Sequence, residues 1–251
     1  IYFKIDTVML GFMKGFEATG WYNAAYKIID AFSLIPFGIG LVMFPAMSRF
    51  YKKKEESLRL LFKKSFYYLF MLGFPLAVGT TLIASRIILF TYKNAFENST
   101  IALQILIWAL MFIFVNYIMG YLLNSIEKQT LFTYTTGFCA FFNITLNFVL
   151  IPKYSYIGAA VATLLTEFLN FVILFYLISK AGYGLNLVTY LYKPILASIL
   201  MAILLLYLKT LNLFIVVPSA IIFYFSVLFF SRGIGKEELN LVKYIFKSRG
   251  L

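Results

Sequence analysis

The side chains of this sequence that could do chemistry sit where they are most expensive, inside long apolar stretches. Lys4, Asp6, Asn23, Lys27 and Asp30 fall in or beside the first two stretches. Asn23, Lys27 and Asp30 are spaced i, i+4 and i+7, which puts them on one face of a helix. Thr136, Asn143 and Asn147 form a second polar stripe, and Thr163, Thr166, Glu167 and Asn170 a third. Ionisable groups at membrane depth are costly and usually face a bundle interior or a water-filled cavity. The three stripes are therefore expected to share one polar cavity, a lining suited to passing a polar solute. A plainer reading stands beside this one: Lys27 and Asp30 form a local ion pair, Asn143 and Asn147 join neighbouring helices through their amides, and Lys4 snorkels to the interface.

Covalent catalysis is poorly served. The sequence has no His, which removes imidazole acid–base work, Ser–His nucleophiles and His-ligated metals from these residues. Its single Cys139 lies in an apolar block, so no disulfide or Cys cluster forms within the chain. Neither a phosphate-binding Gly loop nor a dinucleotide fingerprint is present. No catalytic residue and no metal site is assigned, and the chain reads as a transporter rather than an enzyme.

The elements that must position the polar stripes are membrane helices. Of 251 residues, 62% are hydrophobic and 13% charged, against roughly half and a quarter in soluble domains. The apolar residues fall in blocks at about 1–13, 24–47, 65–91, 100–124, 131–151, 157–179, 187–208 and 211–230. Most have the roughly 20 residues that a helix needs to cross the hydrocarbon core. None shows the period-2 alternation of barrel strands, so the expected fold class is all-α integral membrane protein with about eight spans. The first block is short and the chain starts with Ile, so it reads as a piece whose amino-terminal part is missing. Pro36 with Gly38 and Gly40, and Pro75 with Gly73 and Gly79, are expected to interrupt two helices in mid-span.

Orientation follows from Lys and Arg. The loop expected after the second block carries Arg49, Lys52, Lys53, Lys54, Arg59, Lys63 and Lys64, and the tail carries Arg232, Lys236, Lys243, Lys247 and Arg249. Eight crossings add Lys128, Lys180 and Lys193 to that side and leave only Lys14, Arg86, Lys93, Lys153 and Lys209 on the other. The basic side, with the carboxyl terminus, is expected in the cytoplasm. In residues 231–251, Leu239, Val242, Ile245 and Phe246 recur at helical spacing beside lysines, the pattern of a helix lying on the inner membrane surface. The formal net charge of +12 thus reads as topology and contact with anionic membrane lipids, not as a nucleic-acid site.

The order Asn143, Asn147, Ile151-Pro152, Tyr154, Gly158-Ala159-Ala160, Ala162-Thr163 and Glu167 resembles the segment joining two late helices in polysaccharide-export flippases of the multidrug/oligosaccharidyl-lipid/polysaccharide superfamily. Asp6 to Gly11, Gly20-Trp21-Tyr22, Ala25, Lys27, Ile35-Pro36 and Phe44-Pro45 resemble the start of that family's second six-helix lobe. The resemblance implies a second lobe at residues 1–179 and two additional helices at 180–230, working in the plasma membrane against a missing first lobe. It also implies that the whole protein moves a polyprenyl-linked oligosaccharide from the cytoplasmic to the outer leaflet by alternating access. On that reading Lys4 and Lys27 attract the substrate phosphate, while Asp6, Asp30 and Glu167 balance charge, bond sugar hydroxyls or bind a coupling cation, Na+ or H+. An ion-coupled drug antiporter of the same superfamily is the alternative; a membrane-embedded glycan polymerase or acyltransferase fits the short loops and absent His less well.

Overall fold

The computed structural model describes residues 4–233 except 54 and 209. They form six long helices: α1 (Ile5–Lys53), α2 (Glu55–Tyr92), α3 (Ser99–Ser125), α4 (Gln129–Ile178), α5 (Leu187–Tyr207) and α6 (Leu213–Phe230). All six are long and apolar enough to cross a membrane. Large apolar side chains such as Phe12, Phe16 and Phe230 stand open on the surface, a cost in water but not in lipid. The molecule is a multi-pass membrane protein.

Two of the helices are hairpins. Gly15 has φ 81 and ψ −174, a backbone that only glycine adopts freely. Side-chain hydrogen bonds join Asp6 to Tyr22 and Thr7 to Asn23, each pair 16 residues apart. In a straight helix such residues would lie about 24 Å apart, so α1 doubles back at Gly15. In α4 the break is Ser155, at φ 53 and ψ −135. There the legs approach so closely that a Cβ on Gly158 would lie 2.4 Å from the Leu150 carbonyl oxygen. The reversals coincide with the gaps between the first two apolar blocks and between the fifth and sixth.

The prolines do not break the helices as expected. The second leg of α1 runs through Pro36 and Pro45, and α2 through Pro75. Neighbouring helices and local adjustments tolerate the missing N–H in such spans. The basic stretch 49–64 also differs from its expectation as a loop. Helix α1 continues to Lys53 and α2 begins at Glu55, because Lys, Arg, Glu and Leu are strong helix formers that carry a helix past the edge of the hydrocarbon.

Helix α3 is the hub, with 67% of its spanning window buried against 33% or less for the others. It packs on α1, α2 and α4. Helices α5 and α6 pack on each other and on α2, around Met71, Ile83, Met201, Leu205 and Tyr224. The expected surface helix of the tail lies outside the described residues, apart from Ser231 to Gly233.

Candidate functional site

Asp6 is the centre of the polar cluster. It lies in the first turn of α1, where the helix dipole favours a carboxylate, and is buried, with 4% exposure. Its Oδ2 accepts hydrogen bonds from the Tyr22 hydroxyl at 2.9 Å and the Thr163 hydroxyl at 2.7 Å. Its Oδ1 accepts one from Asn147 Nδ2 at 2.9 Å. Three helical legs thus converge on one carboxylate, two of them brought there by the reversals at Gly15 and Ser155.

The cluster continues along α4. Asn147 Nδ2 also donates to Asn143 Oδ1 at 2.9 Å, and Asn143 Nδ2 donates to the Thr166 hydroxyl at 3.3 Å. Asn116 of α3 donates to Glu167 Oε2 at 2.9 Å and to the Glu167 carbonyl oxygen at 3.1 Å. Every side chain in this network is buried. Asp6, Asn143, Thr163, Thr166 and Glu167 wall a cavity of about 10 Å³, room for a single water-sized particle. The Oδ1 atoms of Asn147 and Asn116 are buried without a hydrogen-bond donor among the described residues.

Above the cluster lies an exposed charged group. Lys4 Nζ pairs with Asp30 Oδ2 at 3.0 Å and stands 4.6 Å from the centre of the Tyr26 ring, and Tyr26 itself lines the small cavity. Lys27 is exposed and makes no hydrogen bond or ion pair with the described residues.

The expected stripes are therefore joined only in part. Asn143 and Asn147 meet Thr163, Thr166, Glu167 and Asp6 in one buried network around the small cavity. Asn23, Lys27 and Asp30 divide: Asn23 accepts from Thr7 at 3.1 Å, Asp30 pairs with Lys4, and Lys27 faces outward. The local Lys27–Asp30 pair does not form; the hairpin at Gly15 brings Lys4 to Asp30 instead. Thr136 turns its hydroxyl onto the Phe132 carbonyl of its own helix, and Asn170 is half-buried with Oδ1 unbonded, outside the network. Sequence reasoning missed Tyr22, Tyr26 and Asn116 as members. An Asn in the middle of a long apolar block was the available signal for Asn116, because a buried amide must find partners.

Comparison with known proteins bears on this arrangement. The family model described as "Lipid II flippase MurJ" matches residues 4–225. The chain belongs to that family. It is 29% identical over 178 residues to an uncharacterized membrane protein, MJ1068, of Methanocaldococcus jannaschii, covering 70% of this chain and 35% of that one. It is 28% identical over 184 residues to the "probable flippase AglR" of Haloferax volcanii, covering 72% and 38%. The "probable low-salt glycan biosynthesis flippase Agl15" of the same organism is 24% identical over 173 residues, covering 68% and 37%. A solved lipid II flippase MurJ in an inward closed conformation superposes with TM-score 0.73 over 92% of this chain and 51% of its own, at 16% identity, a likeness of fold. The chain thus spans little more than a third of the length of the curated relatives. The family match agrees with the family that the sequence resembles.

Proposed function

We propose that this chain is the half of a flippase that carries the charged wall of the transport path, and that the whole protein moves a polyprenyl-linked oligosaccharide from the cytoplasmic to the outer leaflet. The observation that carries the reading is Lys27. It is an exposed ammonium on a membrane helix, one turn from Asp30 and not paired with it. An unneutralised cation at this depth is costly unless an anion visits it, and the phosphate of a lipid-linked sugar is such an anion. Lys4 contributes less, because Asp30 already balances it. Alternating access follows from rocking of this lobe against a facing one, in a plasma-membrane protein with eight crossings and a cytoplasmic carboxyl terminus. No covalent step is needed.

The buried Asp6 network serves as the coupling site in this account. Asp6 has no cationic partner among the described residues, and a buried carboxylate is tolerated only when protonated or balanced. Its neighbours supply oxygen: the Thr163 and Tyr22 hydroxyls, and the donorless Oδ1 of Asn147. An all-oxygen set fits a hard monovalent cation such as Na+, or a proton on Asp6. The same feature would serve an ion-coupled drug antiporter, the second reading. The deciding experiment is export by the full-length protein in vesicles: transport of a lipid-linked oligosaccharide supports the flippase, and ion-driven efflux of small organic cations without it supports the antiporter.

A further inference from the structure

Helix α3 is enclosed by its neighbours, but its second half leaves one stripe open. Of residues 113–125, only Tyr117, Tyr121 and Asn124 are not buried, and their spacing of i, i+4 and i+7 puts them on one face. The stripe is polar. Neither tyrosine hydroxyl nor the Asn124 amide makes a hydrogen bond with the described residues, and none of these polar atoms is enclosed. Tyr117 stands two turns, about 12 Å, inside the end of α3 at Ser125, deeper than the interface at which lipid-facing tyrosines settle. Hydrocarbon offers a hydroxyl no partner at that depth, so the stripe suits a polar occupant rather than acyl chains.

The second leg of α1 runs beside it. Asp30, Phe37 and Phe44 recur every seven residues, one ridge of that leg, with Phe37 44% and Phe44 37% exposed. The ring of Phe37 lies 6.4 Å from that of Tyr117 at 73°, and that of Phe44 lies 5.8 Å from Tyr121 at 42°. The two tyrosines stack on each other at 6.3 Å. Gly40 leaves the space into which the Tyr121 ring fits and which any Cβ would fill, so the ring is held against the backbone of α1. The ridge begins at the Lys4–Asp30 pair, which joins these rings to the charged face of the same leg.

We infer that Phe37, Phe44, Tyr117, Tyr121 and Asn124 form a subsite for the sugar rings of the lipid-linked oligosaccharide. The assignment rests on the flippase reading and adds the glycan to the phosphate at Lys27. A pyranose has two kinds of surface. Its C–H bonds carry slight positive charge and pack on the negative face of an aromatic ring, while its hydroxyls both donate and accept. The phenylalanines supply faces, and the tyrosine hydroxyls and the Asn124 amide supply donors and acceptors. Neither a free phosphate nor an acyl chain uses both. Phe37 and Phe44 are about 10 Å apart along the helix, which gives room for more than one sugar ring.

The test titrates full-length protein in lipid nanodiscs with two probes, a polyprenyl diphosphate and the same lipid bearing a disaccharide of N-acetylglucosamine. The thermal midpoint is recorded for each variant. The wild type is expected to bind the glycosylated probe about tenfold more tightly than the bare one. Phe37→Leu/Phe44→Leu removes the ring faces and Tyr117→Phe/Tyr121→Phe only the hydroxyls. Each should cut that preference several-fold at an unchanged midpoint, with affinity for the bare lipid kept. Equal affinity of the wild type for both probes would overturn the sugar subsite and leave the flippase reading standing; binding of neither would overturn that reading and the subsite with it. A lowered midpoint with the preference intact would assign the stripe to packing between protein helices and overturn the proposal.

Discussion

Asn147 donates a hydrogen bond to the Asp6 carboxylate at 2.9 Å across 141 residues of sequence, tying the first helical leg to the fifth. With Thr163 and Tyr22 on the other oxygen, this contact makes Asp6 both the anchor of the bundle and the proposed seat of the coupling cation. Asp6→Ala removes the shared acceptor of three buried hydrogen bonds; Thr163 keeps the Ala159 carbonyl and Asn147 keeps Asn143 Oδ1, so the loss falls mainly on the Tyr22 hydroxyl and one Asn147 N–H, at about 1–3 kcal/mol each. It should lower the thermal midpoint of the full-length protein markedly. Asp6→Asn keeps the shape and should fold, but lose any rise of that midpoint with added Na+. An equal Na+ response in wild type and Asp6→Asn would remove Asp6 from cation binding.

The reversal in α4 has its own signature. A methyl at Gly158 meets the backbone of Leu150, which cannot swing aside, whereas one at Gly137 meets nothing within 4 Å. Gly158→Ala should destabilise by roughly 1–3 kcal/mol and reduce the folded yield in the membrane. Gly137→Ala should leave the thermal midpoint unchanged or slightly raised. Similar midpoints for the two variants would contradict the close approach of the legs.

Much of this fold is legible in the sequence because lipid imposes a simple rule, that an apolar block of membrane length is a helix. The apolar blocks return as long helices, and Asn143, Asn147, Thr163 and Glu167 return as facing stripes. The pairing of Lys4 with Asp30 is not legible. Local spacing favours Lys27 as the partner, and only the turn at Gly15 decides otherwise. Nor does spacing reveal whether a polar stripe faces a wide cavity or a buried hydrogen-bonded network. That depends on how closely the legs approach, which Gly158 permits, and on Tyr22 and Asn116 supplying hydrogen bonds from other helices.

Lys27 is predicted to act directly on the substrate. Because Asp30 pairs with Lys4, removing Asp30 cannot compensate for removing Lys27. Lys27→Ala should cut glycan export roughly 10- to 100-fold, the loss of one charge-assisted contact, at unchanged protein level in the membrane. Lys27→Arg should retain more activity, and Lys27→Ala/Asp30→Ala should stay inactive. Asp30→Ala alone breaks an exposed pair worth about 0–1 kcal/mol and should fold normally. Recovery of export in the double variant would sink the direct role.

Topology has a clean assay because the native Cys139 is fully buried and should give little background. Asn94 and Lys52 are both exposed, at ends of α2 and α1 that the basic residues assign to opposite sides. A membrane-impermeant thiol reagent should label Asn94→Cys in intact cells and Lys52→Cys only after the membrane is opened. The reverse pattern would invert the bundle.

The most direct measurement is movement of the substrate class itself. Full-length protein would be reconstituted in vesicles whose outer leaflet is loaded with a polyprenyl-linked oligosaccharide, and the fraction protected from an added glycosidase followed in time. The account predicts protection well above protein-free vesicles for the wild type, falling close to that background for Lys27→Ala. Protection no faster than in protein-free vesicles, from wild-type protein that remains folded and inserted, would contradict it.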